Sequence, residues 1–444
     1  DGEEALRLFE KHQDIDLLIT DINMPKINGI QLVKKIKEIN PDLATIIVSA
    51  HSESKFMLEA IKLNVDNFTI VSDFGSPTLD FSSIDDPRQQ GKVVHKLFDI
   101  LFLTLSAVIA GCQGWEEIED FGHDRLDWLR KFISFENGIP KHDTIARVIS
   151  TINMSTFQSC FSKWMQDCHQ VTAGQVIAID GKRLKGSFNQ SDRKNAIHMV
   201  SAFACENGVV LGQQKTDCKS NEITAIPVLL DLLEIKGCLV TIDAMGCQKA
   251  IAQKILDKEA NYLLALKGNQ PMLFSQVEKL LGPEISRQCQ DGTLFQEADY
   301  QRNREEYRCS IVTSDMSQIP ASADWPMLTT VGVIISYRKE KGKVSKELNF
   351  RYYISSATLT AEELAASARE HWNIENGLHW KLDVGMKEDD CRIRRNGAPE
   401  IMAGVRHVAV NRLQSETSFK KGVRAKQMKA NRNTDYLEKV IFGK

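Results

Sequence analysis

Two apolar runs each end on an aspartate: Val176-Ile177-Ala178-Ile179-Asp180-Gly181 and Cys238-Leu239-Val240-Thr241-Ile242-Asp243-Ala244. Such runs read as strands buried on both faces, and an ionisable group belongs only at their ends, where a cleft or a cation can receive it. The pair confines this part of the chain to an α/β architecture with an acidic site at one edge of its sheet. A third acid, Glu375, lies far downstream in His371-Trp372-Asn373-Ile374-Glu375-Asn376. At helical spacing it shares a stripe with Leu364, Ala368, Trp372, His379 and Leu382, which predicts an inward-facing glutamate, costly unless paired or metal-bound. Asp180, Asp243 and Glu375 thus form a carboxylate triad. Hard oxygen donors suit Mg²⁺ or Mn²⁺, and two such ions can stabilise both the attacking and the leaving oxygen of a phosphodiester displacement.

The surrounding pattern supplies the architecture. After the Asp180 strand come strand-like segments 197–204 and 208–214, the helix 220–234, the Asp243 strand, the helix 248–258 and the strand 261–266. Three strands, a helix, a strand, a helix and a strand make an RNase H-like order, in which the first and fourth strands lie side by side. Asp180 and Asp243 would then meet at one sheet edge. Alternating segments at 294–297, 308–313, 329–337 and 350–354 predict a mostly β insertion over about 268–356, beside the site. Thr360 with Glu363 makes a capping box that opens the Glu375 helix. The later acids Glu388, Asp389 and Asp390 lie beyond Gly385 in a segment expected to be exposed, and Asp383 is the nearest competitor for the third ligand.

Composition limits the possible partners. A net charge of −3 and a pI of about 6.4 mean that nucleic acid must be held by local basic patches rather than by a global positive field. Ten cysteines occur without a Cys-x-x-Cys pair or zinc spacing, as expected of buried thiols in a cytoplasmic protein. The longest apolar stretch, Ile100 to Cys112, contains Thr104 and Ser106 and is too short to span a bilayer. The chain opens on Asp1, without an initiator Met or a signal peptide, so its first residues are not expected to be a natural start.

The expected domains are a strand–helix alternation over 1–71, a Ser/Asp/Gly/Pro-rich linker over 72–84, a helical domain over 85–170, the catalytic domain over 171–415 and a basic tail over 416–444. Phosphate contacts are expected from Lys182, Arg183 and Lys185 after the first catalytic strand, and from Lys267 at another strand's C-terminal end, followed by Asn269-Gln270. Lys420, Lys421, Arg424 and Lys426 belong to a stretch, Lys420 to Arg432, with six basic residues and no acid. In the helical domain Arg125, Arg130, Lys131, Lys141 and Arg147 could face DNA or simply solvent. Arg392, Arg394 and Arg395 could balance the acids before them. His371 and His379 read as supporting groups rather than zinc ligands, since no sulfur or third histidine stands at suitable spacing.

Two families are resembled. The run Leu17-Leu18-Ile19-Thr20-Asp21-Ile22-Asn23-Met24-Pro25-Lys26-Ile27-Asn28-Gly29 resembles a response-regulator receiver domain around its phosphoacceptor, which implies Asp21 as acceptor and Ser49 as switch hydroxyl. The acidic pair of a receiver's first strand is missing, and Val71-Ser72-Asp73 replaces the usual Lys-Pro, so Asp21 is expected to be vestigial. From about Asp85 onward, Ala178-Ile179-Asp180-Gly181-Lys182-Arg183-Leu184-Lys185-Gly186-Ser187, Lys219-Ser220-Asn221-Glu222-Ile223, Thr241-Ile242-Asp243-Ala244-Met245-Gly246, Ala265-Leu266-Lys267-Gly268-Asn269-Gln270 and His371-Trp372-Asn373-Ile374-Glu375-Asn376-Gly377-Leu378-His379-Trp380 resemble an insertion-sequence DDE transposase of the H-repeat-associated type. The resemblance implies Asp180, Asp243 and Glu375 as ligands of two Mg²⁺ or Mn²⁺ ions, double-stranded DNA as partner, a homo-oligomer assembled on that DNA, and cut-and-join chemistry at element ends. His371 stands where related transposases carry an Arg, and Lys381 one place short of their Lys. The whole reads as an element that landed in a response-regulator gene. A receiver controlling a DNA-binding output, or an inactive DNA-binding relative, are the alternative readings.

Overall fold

The computed structural model describes every residue except 12–14, 22, 23, 25, 42, 50–66, 71–83, 85, 90, 92, 169–171, 188–195, 217–221, 292–294, 302, 303, 341, 342, 345–347 and 444. Residues 1–168 and 395–444 make one compact unit, and residues 169–394 make another.

The first unit opens with α1 (Gly2–Lys11), β1 (Leu17–Asp21), α2 (Gly29–Ile39), β2 (Ala44–Ser49) and β3 (Asn67–Ile70). The strands form a parallel sheet in the order β1-β2-β3. Phe9, Leu32, Ile36 and Leu43 make the small core between helices and sheet. A reciprocal capping box of Asn28 and Gln31 starts α2, supplying partners to donors that a helix start leaves orphaned. Asp21 ends β1 and is exposed; the Ser49 side chain, residues 50–66 and nearly all of the expected linker lie outside the described residues.

Helices follow: α3 (Leu97–Ile109), α4 (Trp115–Asp124), α5 (His142–Ile149) and α6 (Met154–Cys168). The periodicity of 143–164 predicts one helix, but the structure divides it. Ser150 and Thr151 donate their hydroxyls back to the carbonyls of Arg147 and Val148, and Asn153 Oδ1 accepts from Thr156 N at 3.1 Å to begin α6. These local side-chain bonds compete with helix continuation.

The second unit contains β4 (Val176–Arg183), β5 (His198–Ala204), β6 (Val209–Lys215), α7 (Glu222–Asp231), β7 (Leu239–Ile242), α8 (Lys249–Asp257), β8 (Asn261–Leu266), α9 (Pro271–Asp291), β9 (Phe295–Gln301), β10 (Arg304–Thr313), β11 (Thr330–Glu340), β12 (Lys343–Val344), β13 (Asn349–Ser355) and α10 (Ala361–Asn373). The strand order β6-β5-β4-β7-β8, with β4 antiparallel to β5 and parallel to β7, is RNase H-like. The β insertion is not a separate sheet. β13 pairs antiparallel with β8, and β11, β10 and β9 extend the same sheet beyond it. A helix, α9, opens the insertion, which the alternation of its later strands did not announce.

After α10 the backbone widens into two π-helical segments, Ile374–His379 and Lys381–Gly385, followed by a 3-10 turn at Glu388–Asp390. The chain then returns to the first unit as α11 (Ala398–Ser415), α12 (Val423–Arg432) and α13 (Thr434–Phe442). The sequence assigned 395–415 to the catalytic domain and 416–444 to a tail. In the fold α11 is buried on nearly every face and packs against α3 and α6, and the basic stretch folds as α12 with Val423 and Ala430 in the core.

Candidate active site

Paired register carries β4 and β7 side by side up to Ile179 opposite Ile242. The next residue of each is an aspartate: Asp243 follows the end of β7, whereas Asp180 lies within β4, which stays paired with β5 as far as Arg183, so the sequence expectation of a strand-end acid holds for Asp243 alone and the two acids stand at one level where the β4–β7 pairing stops. Parallel strands feed their C-terminal ends into one crevice, which is why the two acids meet. Burial pushes the Asp180 carboxyl up to about 7, with the charges of Glu222, Asp243 and Glu375 adding to the rise. Four acids from four different elements therefore share one electrostatic neighbourhood.

Each is held by its own local chemistry. Asp243 Oδ1 accepts from the backbone N–H of Met245 at 2.9 Å and of Gly246 at 3.3 Å, a turn that fixes the carboxylate just past the strand. Asn269 Nδ2 donates to Ala244 O at 2.6 Å and Gln270 Nε2 to Cys247 O at 2.9 Å, so these two residues brace the Asp243 loop. His371 Nδ1 lies 2.9 Å from Thr241 Oγ1 and joins α10 to β7; burial lowers its pKa, which keeps the ring neutral. His379 Nδ1 lies 3.7 Å from Asp180 Oδ2.

Glu222 escaped the sequence reading as a site residue. It is buried at the start of α7 and its Oε1 stands 2.8 Å from His198 Nε2. A Cβ at Gly181 would overlap both Glu222 Oε1 and His198 Nε2, so the glycine after Asp180 is what lets this pair close over the strand. The signal was present in Asp180-Gly181 and in Asn221-Glu222, but nothing in the spacing joined them.

Several expectations are corrected. Glu375 is exposed, while Ile374, Leu378 and Leu382 are buried. Leu364, Ala368 and Leu382 of the expected stripe are buried, so Glu375 alone departs from it to the exposed side; from Glu375 onward the backbone widens, Trp380 N bonding to Glu375 O and Met386 N to Lys381 O, five residues apart. Lys182 is not open to phosphate. Its Nζ lies 2.6 Å from Asp383, 2.7 Å from Glu388 and 3.7 Å from Asp389, with only 10% of the side chain exposed. The acidic segment is accordingly not exposed throughout, since Glu388 is 2% exposed. Lys185 pairs with Asp389 at 2.7 Å yet remains largely exposed, and Arg183 and Lys267 are exposed. Arg394 donates to Gly186 O at 3.0 Å, a tie between the two segments.

In the first unit Lys420, Lys421 and Arg424 are exposed, but Lys426 is buried with its Nζ donating to the carbonyls of Leu413 and Glu416. An ammonium satisfied internally cannot also serve a phosphate. Arg125 donates to Asn431 O, whereas Lys131, Lys141 and Arg147 are exposed.

The donor set is all oxygen and acidic, which fits a hard divalent cation in kind: positive charge there would offset the mutual repulsion that raises Asp180. Among the described residues no three His, Cys, Asp or Glu side chains already converge at ligating distance of one point.

Residues 172–412 match the family model described as "Transposase DDE domain", residues 79–165 the one described as "DDE_Tnp_1-associated", and residues 1–70 the one described as "Response regulator receiver domain". The chain belongs to the DDE transposase family. It is similar to "Putative transposase YncI" of Escherichia coli O157:H7, 52% identical over 82% of this chain and 94% of the relative, and to "H repeat-associated putative transposase YhhI" of Escherichia coli strain K12, 49% identical over 82% of this chain and 96% of the relative. Among solved structures, a piggyBac transposase synaptic complex with hairpin DNA is 10% identical over 80% of this chain and 74% of that chain, at a TM-score of 0.38. Among the described residues no helix is long and apolar enough to cross a membrane.

Proposed function

We propose that this chain is a Mg²⁺- or Mn²⁺-dependent DNA transposase that cuts and rejoins strands at the ends of an insertion sequence, with Asp180, Asp243 and Glu375 as metal ligands. The observation that carries this reading is the placing of Asp180 on β4 and Asp243 just past β7 at one level of the sheet, beside a glutamate from the helix that follows α10. A bound divalent pair supplies charge stabilisation to both oxygens of an in-line phosphodiester displacement. The protein's part is to gather the acids and hold them. Asp243 is fixed by its own loop amides, the β7 end is tied to α10 through Thr241 and His371, and Asn269 and Gln270 donate to carbonyls of the Asp243 loop.

Duplex DNA is the substrate on this reading, and a homo-oligomer assembled on that DNA is the working form. Arg183, Lys185 and Lys267 lie near or at strand ends of the catalytic sheet, where exposed cations can meet phosphate, and Lys420, Lys421 and Arg424 offer a second basic patch in the first unit. The test is a plasmid carrying the coding region between its own flanking DNA, incubated with the purified protein and Mg²⁺. Strand breaks at the flanks should appear with the parent and vanish with Asp180→Asn, Asp243→Asn or Glu375→Gln. Breaks made equally well by the three variants would remove the assignment.

A further inference from the structure

We infer that Lys182 is a positioning residue, the internal cation of a clamp that holds the Glu375-bearing π-helical region against the Asp180 strand. Lys182 lies two residues after Asp180 on β4, so the two side chains share a face of the strand. Its ammonium is enclosed by Asp383, Glu388 and Asp389. Asp383 belongs to the second π segment and the other two to the 3-10 turn after it.

The clamp has further ties. Lys185 reaches Asp389, and Arg394 reaches the carbonyl of Gly186. A Cβ on Gly186 would overlap the carbonyl oxygen of Cys391, so the two backbones run in direct contact. Residues 182–186 are thereby bound to 383–394 by a buried ion cluster, a surface ion pair and a backbone bond.

The need for such a device follows from the backbone it restrains. A π-helical turn is a rare geometry with no intrinsic advantage over the α-helix and persists where the surroundings impose it. Glu375 sits at the start of this wide helix with its side chain exposed, so no packing of its own fixes it. Ile374, Leu378 and Leu382 anchor one side in the core, and the Lys182 cluster anchors the far end. Losing Lys182 would remove the cation that lies 2.7 Å from the buried Glu388 carboxylate and 2.6 Å from Asp383, leaving three neighbouring acids to repel one another and loosen the segment.

The consequence rests on the proposed metal-binding reading: Lys182 sets metal affinity through Glu375 without touching metal or DNA. Full-length parent, Lys182→Met, Glu388→Gln and Asp180→Asn are compared by amide hydrogen exchange in EDTA and by Mn²⁺ binding followed by electron paramagnetic resonance. Exchange over 374–390 should quicken by about tenfold in Lys182→Met and also rise in Glu388→Gln, with β7 unchanged. Mn²⁺ affinity should fall by about tenfold in both. A lysine that were merely a nearby positive charge predicts the opposite sign, tighter Mn²⁺ binding once it is removed. That result, or parent-like exchange with weaker binding of duplex DNA, overturns the clamp and returns Lys182 to phosphate contact. Should Lys182→Met fail to fold, Glu388→Gln decides, because it opens the same cluster from the other side. Mn²⁺ binding lost in Asp180→Asn but kept in both clamp variants sinks the clamp alone; Mn²⁺ binding kept in Asp180→Asn sinks the metal reading and the clamp's consequence with it.

Discussion

At the scale of single residues, Asp180 carries a cost that can be measured. Its carboxyl is raised from 3.8 to about 7, first by burial and then by Glu222, Asp243 and Glu375. A raised carboxyl favours folding least at high pH: the penalty is absent below the unfolded value, grows as pH rises from 3.8 to about 7, and is constant above. Without metal, Asp180→Asn should therefore stabilise the second unit at pH 8, by up to roughly 4 kcal/mol, with the gain shrinking to roughly a third at pH 5. Thermal melts in EDTA at the two pH values check this, and an equal gain at both would contradict it. Gly181 makes a complementary case. Gly181→Ala pushes Glu222 and His198 apart, and overpacking of this kind costs about 1–3 kcal/mol. A lower melting temperature together with slower cleavage is expected; parent-like melting would mean that the pair yields freely.

Among the elements, α12 and the residues just before it separate two kinds of cation that look alike in sequence. Lys420, Lys421 and Arg424 are exposed, whereas Lys426 spends its donors on the carbonyls of Leu413 and Glu416, and Lys429 lies 4.4 Å from the Phe419 ring centre and 4.2 Å from that of Tyr436. Replacing the three exposed cations by alanine should lower the slope of log K against log salt for duplex binding by about 2–3, at roughly 0.9 per phosphate contact. Lys426→Met should leave that slope unchanged while lowering stability by about 1–3 kcal/mol, the usual cost of carbonyls buried without their donor. Titrations at several salt concentrations, paired with melts, distinguish the two. The π-helical region makes a similar point: helical periodicity put Glu375 on the buried stripe, yet Glu375 is exposed while its neighbour Ile374 is buried.

For the whole molecule, the relatives are matched over 82% of this chain and nearly their full length, and the transposase matches begin at residue 79. The receiver-like segment therefore lies outside what they share. A chain beginning at residue 79 should retain Mg²⁺-dependent cleavage within about twofold of the full chain, measured on the same plasmid substrate; a large loss would give the segment a part in the reaction. The sequence by itself determined the alternation of elements, the RNase H-like order and the aspartate at the end of β7, because buried parallel strands tolerate charge only where they stop; Asp180 lies within β4, which runs on to Arg183. It also carried both family resemblances. Tertiary structure alone decided the rest. It joined Glu222 and His198 across Gly181, left Glu375 exposed, and buried Lys182 among Asp383, Glu388 and Asp389. Periodicity and propensity act over one or two turns of chain, whereas the fate of a charge depends on which distant group arrives beside it.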